Sequence, residues 1–225
     1  MRMLGGVGVA LRCPSARSPS PLARAFSDLD VATDRRSAGE LGPVLEAVGY
    51  VGERRFNALH GHRRQLFVAP GGRHIDVFVG EFAMCHALSL TDRLAAHDET
   101  IPLADLLLTK LQVAELNDKD VTDVVALLLD HELAVREPGL DVERVTKLLG
   151  QDWGWWRTAS ANLGTVRSLV ATLPLPPEAS RLARARLDEL LGRIDAAPKT
   201  RRWRLRARIG DRMPWRDEPE EIQST

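Results

Sequence analysis

The sequence predicts an α+β fold: a small mixed β-sheet with accompanying helices over residues 1–100, then a helical region over 101–196. Three observations lead there. Residues 27–32 (SDLDVA) alternate polar with apolar side chains, the mark of a strand with one buried face. Residues 65–69 and 74–79 are apolar runs separated by Pro70, Gly71 and Gly72, as in a β-hairpin. From Leu103 onward the apolar period becomes helical, predicting helices over 102–116, 119–133, 141–149, 153–173 and 177–194. Strands collected before helices are the α+β pattern.

In chain order, residues 3–11 read as a strand running into a glycine turn and a short helix, and residues 14–21 (PSARSPSP) as a loop. Residues 40–48 form a short amphipathic helix, and no internal repeat is present. Residues 1–27 combine Arg2, Arg12, Arg17 and Arg24 with serines and no acid, a composition shared with transit peptides. Gly5, Gly6 and Gly8 weaken the helix that such a segment needs. Residues 197–225 are set apart as a basic segment with a disordered tail from Pro219.

The chain has 31 basic and 31 acidic residues, so it is not a uniformly basic binder of nucleic acid or membranes. The basic residues are 27 Arg and 4 Lys, a bias that carries no functional weight by itself. Apolar runs fall well short of the roughly 20 residues of a membrane span. Two cysteines, Cys13 and Cys85, are too few for a disulfide framework and lack zinc-site spacing, so they read as ordinary thiols of a cytoplasmic protein.

The chemistry-bearing pattern is acidic. Asp28 and Asp30 stand two apart on a strand and leave the same face. Adjacent carboxylates repel, and a cation between them keeps both ionised. Asp76 lies within the apolar strand HIDVFV. A pair on one strand and a third acid on another can hold two Mg²⁺ ions about 4 Å apart, as phosphoryl and nucleotidyl transfer require. The plainer alternatives are a D-x-D that caps a turn and an edge-strand Asp76 that faces water.

Gly5 and Gly6 allow close backbone approach, and their amides suit a phosphate or a plain tight turn. Lys110 falls within the apolar stripe of Leu103, Leu106, Leu107 and Ala114, so it needs an anionic partner: a triphosphate, or Asp120 or Asp123. Asp120 and Asp123 fall in the first turn of their helix, where acids suit the dipole whatever their chemistry.

Leu4-Gly5-Gly6, Asp28-Leu29-Asp30 and Ile75-Asp76-Val77 together resemble the nucleotidyltransferase superfamily, with its DNA polymerase beta-like fold. Lys110, then Lys119-Asp120 and Asp123, resemble the K…KD..D arrangement of the AbiEii-type toxin nucleotidyltransferases. The resemblance covers residues 3–130 and implies transfer of an NMP from an NTP to an acceptor. Asp28 and Asp30 would bind both Mg²⁺ ions. Asp76 would complete one metal site and help deprotonate the acceptor. Gly5, Gly6 and Lys110 would hold the triphosphate, with Asp120 beside them. The acceptor is an RNA or tRNA end, with a cognate antitoxin as partner, or an antibiotic hydroxyl as in the kanamycin and lincosamide relatives. A non-catalytic nucleotide-binding module is the alternative from another class. The chain departs from the family in a long interval between Gly6 and Asp28. Only Met1 to Leu4 precede the glycines, which predicts a start upstream of Met1 or a shortened first strand.

Residues 152–157 (DWGWWR) hold three of the five tryptophans and read as a core anchor, with base stacking as the alternative. Residues 198–216 carry +7, and from Arg202 to Ile209 Arg alternates with Trp203, Leu205, Ala207 and Ile209 in a strand period; a helix is the alternative. This segment either folds over acids, among them Asp217, Glu218, Glu220 and Glu221, or offers a phosphate-binding edge.

Overall fold

The computed structural model describes residues 1–218 and has the mixed α+β architecture that the patterning predicts. Strand β1 (Arg2–Leu4) runs directly into helix α1 (Gly5–Arg12). Strand β2 (Asp28–Thr33) is followed by helix α2 (Ala38–Ala47), strand β3 (Val51–Gly52), helix α3 (Arg54–His60), and the hairpin of β4 (Arg64–Val68) and β5 (His74–Val79). These strands form one sheet in the order β1-β2-β5-β4-β3, in which only β2 and β5 are parallel. Asp76 is therefore on a central strand, which corrects the edge-strand alternative.

The pleat divides the sheet between two apolar clusters. Val31, Val77 and Val79 pack with Ala38 and Leu45 of α2. Ala32 and Phe78, of opposite parity, join the larger core with Leu4, Val9 and the helices that follow. Residues 1–27 thus contribute to this core through β1, α1 and Leu22.

A small ribbon, β6 (Glu81–Ala83) with β7 (Ala87–Ser89), leads to helices α4 (Leu103–Leu111) and α5 (Asp118–Asp130). Short strands β8 (Leu133–Ala134) and β9 (Leu140–Asp141) precede α6 (Val142–Gln151), α7 (Trp153–Leu169) and α8 (Pro177–Ala196). Helix ends differ from the periodicity where side chains cap the backbone. Asn117 accepts from the Asp120 amide and starts α5, while Asp141 and Asp152 cap α6 and α7 in the same way.

The largest correction is at residues 201–209. Their alternation predicted a strand, but they form helix α9 (Arg201–Ile209), capped by Thr200. Arg204 donates to the Lys199 carbonyl and Arg206 to the carbonyls of Gly210, Met213 and Pro214, so backbone oxygens engage part of the positive charge. The tail expected from Pro219, with Glu220 and Glu221, lies outside the described residues. No helix among the described residues is long and apolar enough to cross a membrane.

Asp105 on α4 is fully buried and accepts from Arg93 at 2.7 Å and from Arg144 at 3.0 Å, tying the segment before α4 to α6. Replacing it with Ala removes one partner of two charge-assisted pairs. We expect a loss of about 2–4 kcal/mol in urea unfolding, whereas the exposed, i,i+4-paired Glu189→Ala costs under about 1 kcal/mol.

Candidate functional site

Asp30 and Asp76 are direct partners in the parallel β2–β5 register, with Asp28 two residues earlier beside His74. All three acids share the parity of Ala32 and Phe78, so they stand on the helix-covered face, where these strands enter the core. Burial, and then the Asp76 carboxylate beside it, push Asp30 up to about 6 against the pull of Lys110 and Arg64. Among the described residues no hydrogen bond or ion pair closes on Asp30. Asp28 is more open: its carboxylate accepts from the Ser27 hydroxyl at 2.8 Å and lies 3.9 Å from His74 Nδ1.

Asp76 is held differently. Arg64 donates from Nε and Nη2 to its two oxygens at 2.8 and 2.9 Å, and the guanidinium lies over Phe56 and Phe78. Sequence reasoning missed Arg64. The available signal was its cross-strand position in the hairpin, where Leu66 pairs with Asp76 and Arg64 stands two residues along on the same face.

The glycines explain themselves through these neighbours. Gly5 begins α1 with φ +62°, and a Cβ there would sit 1.9 Å from Asp30 Oδ2. A Cβ on Gly6 would meet Arg24 Nη2 at 2.1 Å. Only glycine lets the first turn of α1 approach both charged groups this closely. In the structure the neighbours of the glycines are therefore a carboxylate and a guanidinium.

Lys110 approaches Asp123 at 2.9 Å and Asp120 at 3.3 Å. Burial pulls its ammonium down, but Asp123 and Asp120 outweigh it and hold the group above the ordinary lysine value. Asp123 is nearly fully buried and also receives Arg24 at 2.7 Å, while the Arg24 guanidinium covers the Phe26 ring at 4.6 Å. Lys110 thus has its acid partners and Asp120 sits in the first turn of α5, whereas Asp123, expected there too, falls in the second turn because Asn117 starts the helix at Asp118.

Gly6, Arg24, Asp28, Asp30, Lys110 and Asp120 line one cleft of about 130 Å³, with Asn117 and Lys119 also on its wall. Asp76 stands behind Asp30, outside this lining. The volume suits a phosphate with its cation and is below the roughly 300 Å³ at which small-molecule pockets begin. Among the described residues no three His, Cys, Asp or Glu side chains converge as a metal-binding group. Asp28 and Asp30 are nevertheless hard oxygen donors suited to a divalent cation, and Asp30 is a buried charge that such a cation would relieve. Each oxygen of Asp76 keeps a lone pair beyond the one used by Arg64.

The shift of Asp30 predicts a pH effect. Its native value is raised, so its favourable contribution to stability is complete below about pH 3.8 and is lost as pH rises through about 6. In metal-free buffer Asp30→Asn should therefore be more stable than the parent at pH 7, by roughly 2–3 kcal/mol, with the difference shrinking toward pH 4 in urea unfolding. Gly5→Ala should act oppositely, costing about 1–3 kcal/mol through its φ and the displaced Asp30 side chain, as thermal unfolding would show. No protein-family model matches the chain, and no curated protein does, so the reading of the site rests on this geometry.

Proposed function

We propose that the protein is a Mg²⁺-dependent nucleotidyltransferase that moves an NMP from an NTP to an acceptor hydroxyl. The observation that carries this reading is the convergence of Asp28, Asp30, Lys110 and the glycine start of α1 on one small cleft. Asp28 at the exposed mouth and Asp30 further in would hold the cation. Mg²⁺, when bound, would neutralise charge on the triphosphate and on the leaving pyrophosphate. Lys110 of α4 and Arg24 of the loop before β2 add two cations to the wall, and the amides at the start of α1 favour anions. The cleft is too small for a whole nucleotide, so the base and ribose would lie outside it. Asp76 stands behind Asp30, outside the cleft lining and with Arg64 on both oxygens, so its expected part in deprotonating the acceptor draws no support from this geometry.

The acceptor is an RNA or tRNA end in this proposal, with an aminoglycoside-type hydroxyl as the small-molecule alternative. A toxin role implies a partner antitoxin, and the use of NTPs implies the cytoplasm. One observation favours a non-catalytic nucleotide-binding module: Arg64 already occupies both oxygens of Asp76, and Lys110 is already paired.

Incubation with labelled NTPs, Mg²⁺ and either total RNA or an aminoglycoside panel tests the activity. Asp28→Asn is the informative variant because Asp28 is half-exposed and its replacement should leave the fold intact. We expect labelling to fall by about 100-fold or more in Asp28→Asn and Asp30→Asn, with growth arrest on overexpression lost in parallel. Undiminished labelling in both variants would overturn the assignment. Calorimetric NTP binding with no transfer to any acceptor would establish the module instead.

A further inference from the structure

A second and larger cavity, of about 450 Å³, lies away from the carboxylates, between the start of α7, residues 85–87 and α9. Its walls carry Trp153, Trp155, Trp203 and Trp215 together with Arg202, Arg206 and Arg216. Trp156 packs edge-on against Trp203 at 5.2 Å, so all five tryptophans of the chain lie in or against this cavity. The arrangement is built from several separate segments. Arg206 covers the Trp153 ring at 4.5 Å while donating to the carbonyls of Met213 and Pro214, and the Asp217 amide donates to the Cys85 carbonyl. The Trp215 indole and His86 both reach the Thr158 hydroxyl.

Three features distinguish this cavity from a plain aromatic core. Its volume falls within the roughly 300–1,000 Å³ range of ligand pockets. The Trp203 N–H is buried with no acceptor among the described residues. Arg202 in the wall, with Arg201, Arg208 and Arg212 nearby in sequence, has no acidic partner among the described residues, so the surrounding charge is unspent. Two acids also line the cavity: the Asp152 carboxylate is engaged in capping α7 through the Trp155 amide, and Asp217 offsets part of the arginine charge.

We propose that this cavity binds an unpaired nucleotide of a single-stranded nucleic acid, with the base against indole faces and the flanking phosphates on the α9 arginines. His86 stacks on Trp155, Arg206 covers Trp153 and Arg157 and Arg216 flank Trp215, so a planar base would extend stacks and cation–π pairs already present, which an acidic peptide does not do. A duplex keeps its bases stacked internally and cannot insert one without unpairing. The inference stands apart from nucleotidyl transfer, since the two cavities share no lining residue.

The test is a titration of the full chain with a fluorescein-labelled single-stranded RNA of about ten nucleotides, read by anisotropy and by quenching of tryptophan emission. A duplex of equal length and vesicles of anionic phospholipid are run in parallel. We expect the single strand to bind at least about tenfold tighter than the duplex, to quench the tryptophans and to weaken as salt rises. Arg202→Glu and Trp203→Leu should each weaken binding about tenfold or more, with unchanged far-UV circular dichroism. Arg181→Glu, an equal charge change on the exposed face of α8, should not. Asp28→Asn should retain binding whether or not transfer is lost, so failure here and failure of the enzymatic assignment remain distinguishable. Equal weakening by Arg202→Glu and Arg181→Glu, equal affinity for duplex, binding to vesicles alone, or no binding would each overturn the proposal.

Discussion

The rest of the structure depends on one constraint: β2 and β5 lie parallel with Asp30 directly beside Asp76 on a face that helices cover. Strand neighbours stand about 4.8 Å apart, so two carboxylates meet where the local dielectric is low and their repulsion is strong. The fold resolves the two acids unequally. Asp76 receives a bidentate guanidinium from the next strand of the hairpin, whereas Asp30 receives only the more distant fields of Lys110 and Arg64 and the start of α1. That asymmetry leaves Asp30 as the group with unmet demand for positive charge.

The same demand organises the helices. Lys110 at the end of α4 and Arg24 from the loop before β2 both converge on Asp123 of α5, whose carboxylate is almost fully buried. Three segments far apart in sequence are therefore joined through one acid. Removing a single member leaves the others buried and uncompensated, and this sets their spacing more tightly than apolar packing would. Lys110 and Arg24 also face the cleft, so the groups that fix the helices against the sheet are the ones that give the cleft its positive wall.

Much of this was legible in the sequence because it is local. The alternation in residues 27–32 and the Pro-Gly-Gly interval identified β2, β4 and β5, and the acids Asp28, Asp30 and Asp76 follow from strand parity alone. Gly5 was singled out for close approach to a phosphate, whereas the close neighbour in the structure is the Asp30 carboxylate. Arg64 was not found, because an arginine in a strand carries no mark of its cross-strand partner. Helix α9 was misread because its arginines alternate with apolar residues in a period of two. An exposed helix with no fully buried residue need not keep an apolar stripe, so periodicity is uninformative there. The tryptophans read as a core anchor are buried at Trp153 and Trp155, and they also wall a cavity whose other sides come from residues 85–87 and 202–217.

The formal neutrality of the chain conceals how its charges are distributed. In the first half, Asp76 and Asp105 receive guanidinium partners directly, while Asp30 feels Lys110 and Arg64 only from a distance. Near the end, Arg204, Arg206 and Arg216 donate to carbonyl oxygens, which satisfies their hydrogen bonds but does not cancel their charge. Asp211 neutralises Arg157 of α7 at 3.0 Å and so takes no share of the α9 charge by direct pairing. Of the two halves, one thus presents a carboxylate that favours a cation and the other presents guanidinium groups that favour anions. A polyanion carrying its own divalent counterions satisfies both at once, which no ligand of single charge can do.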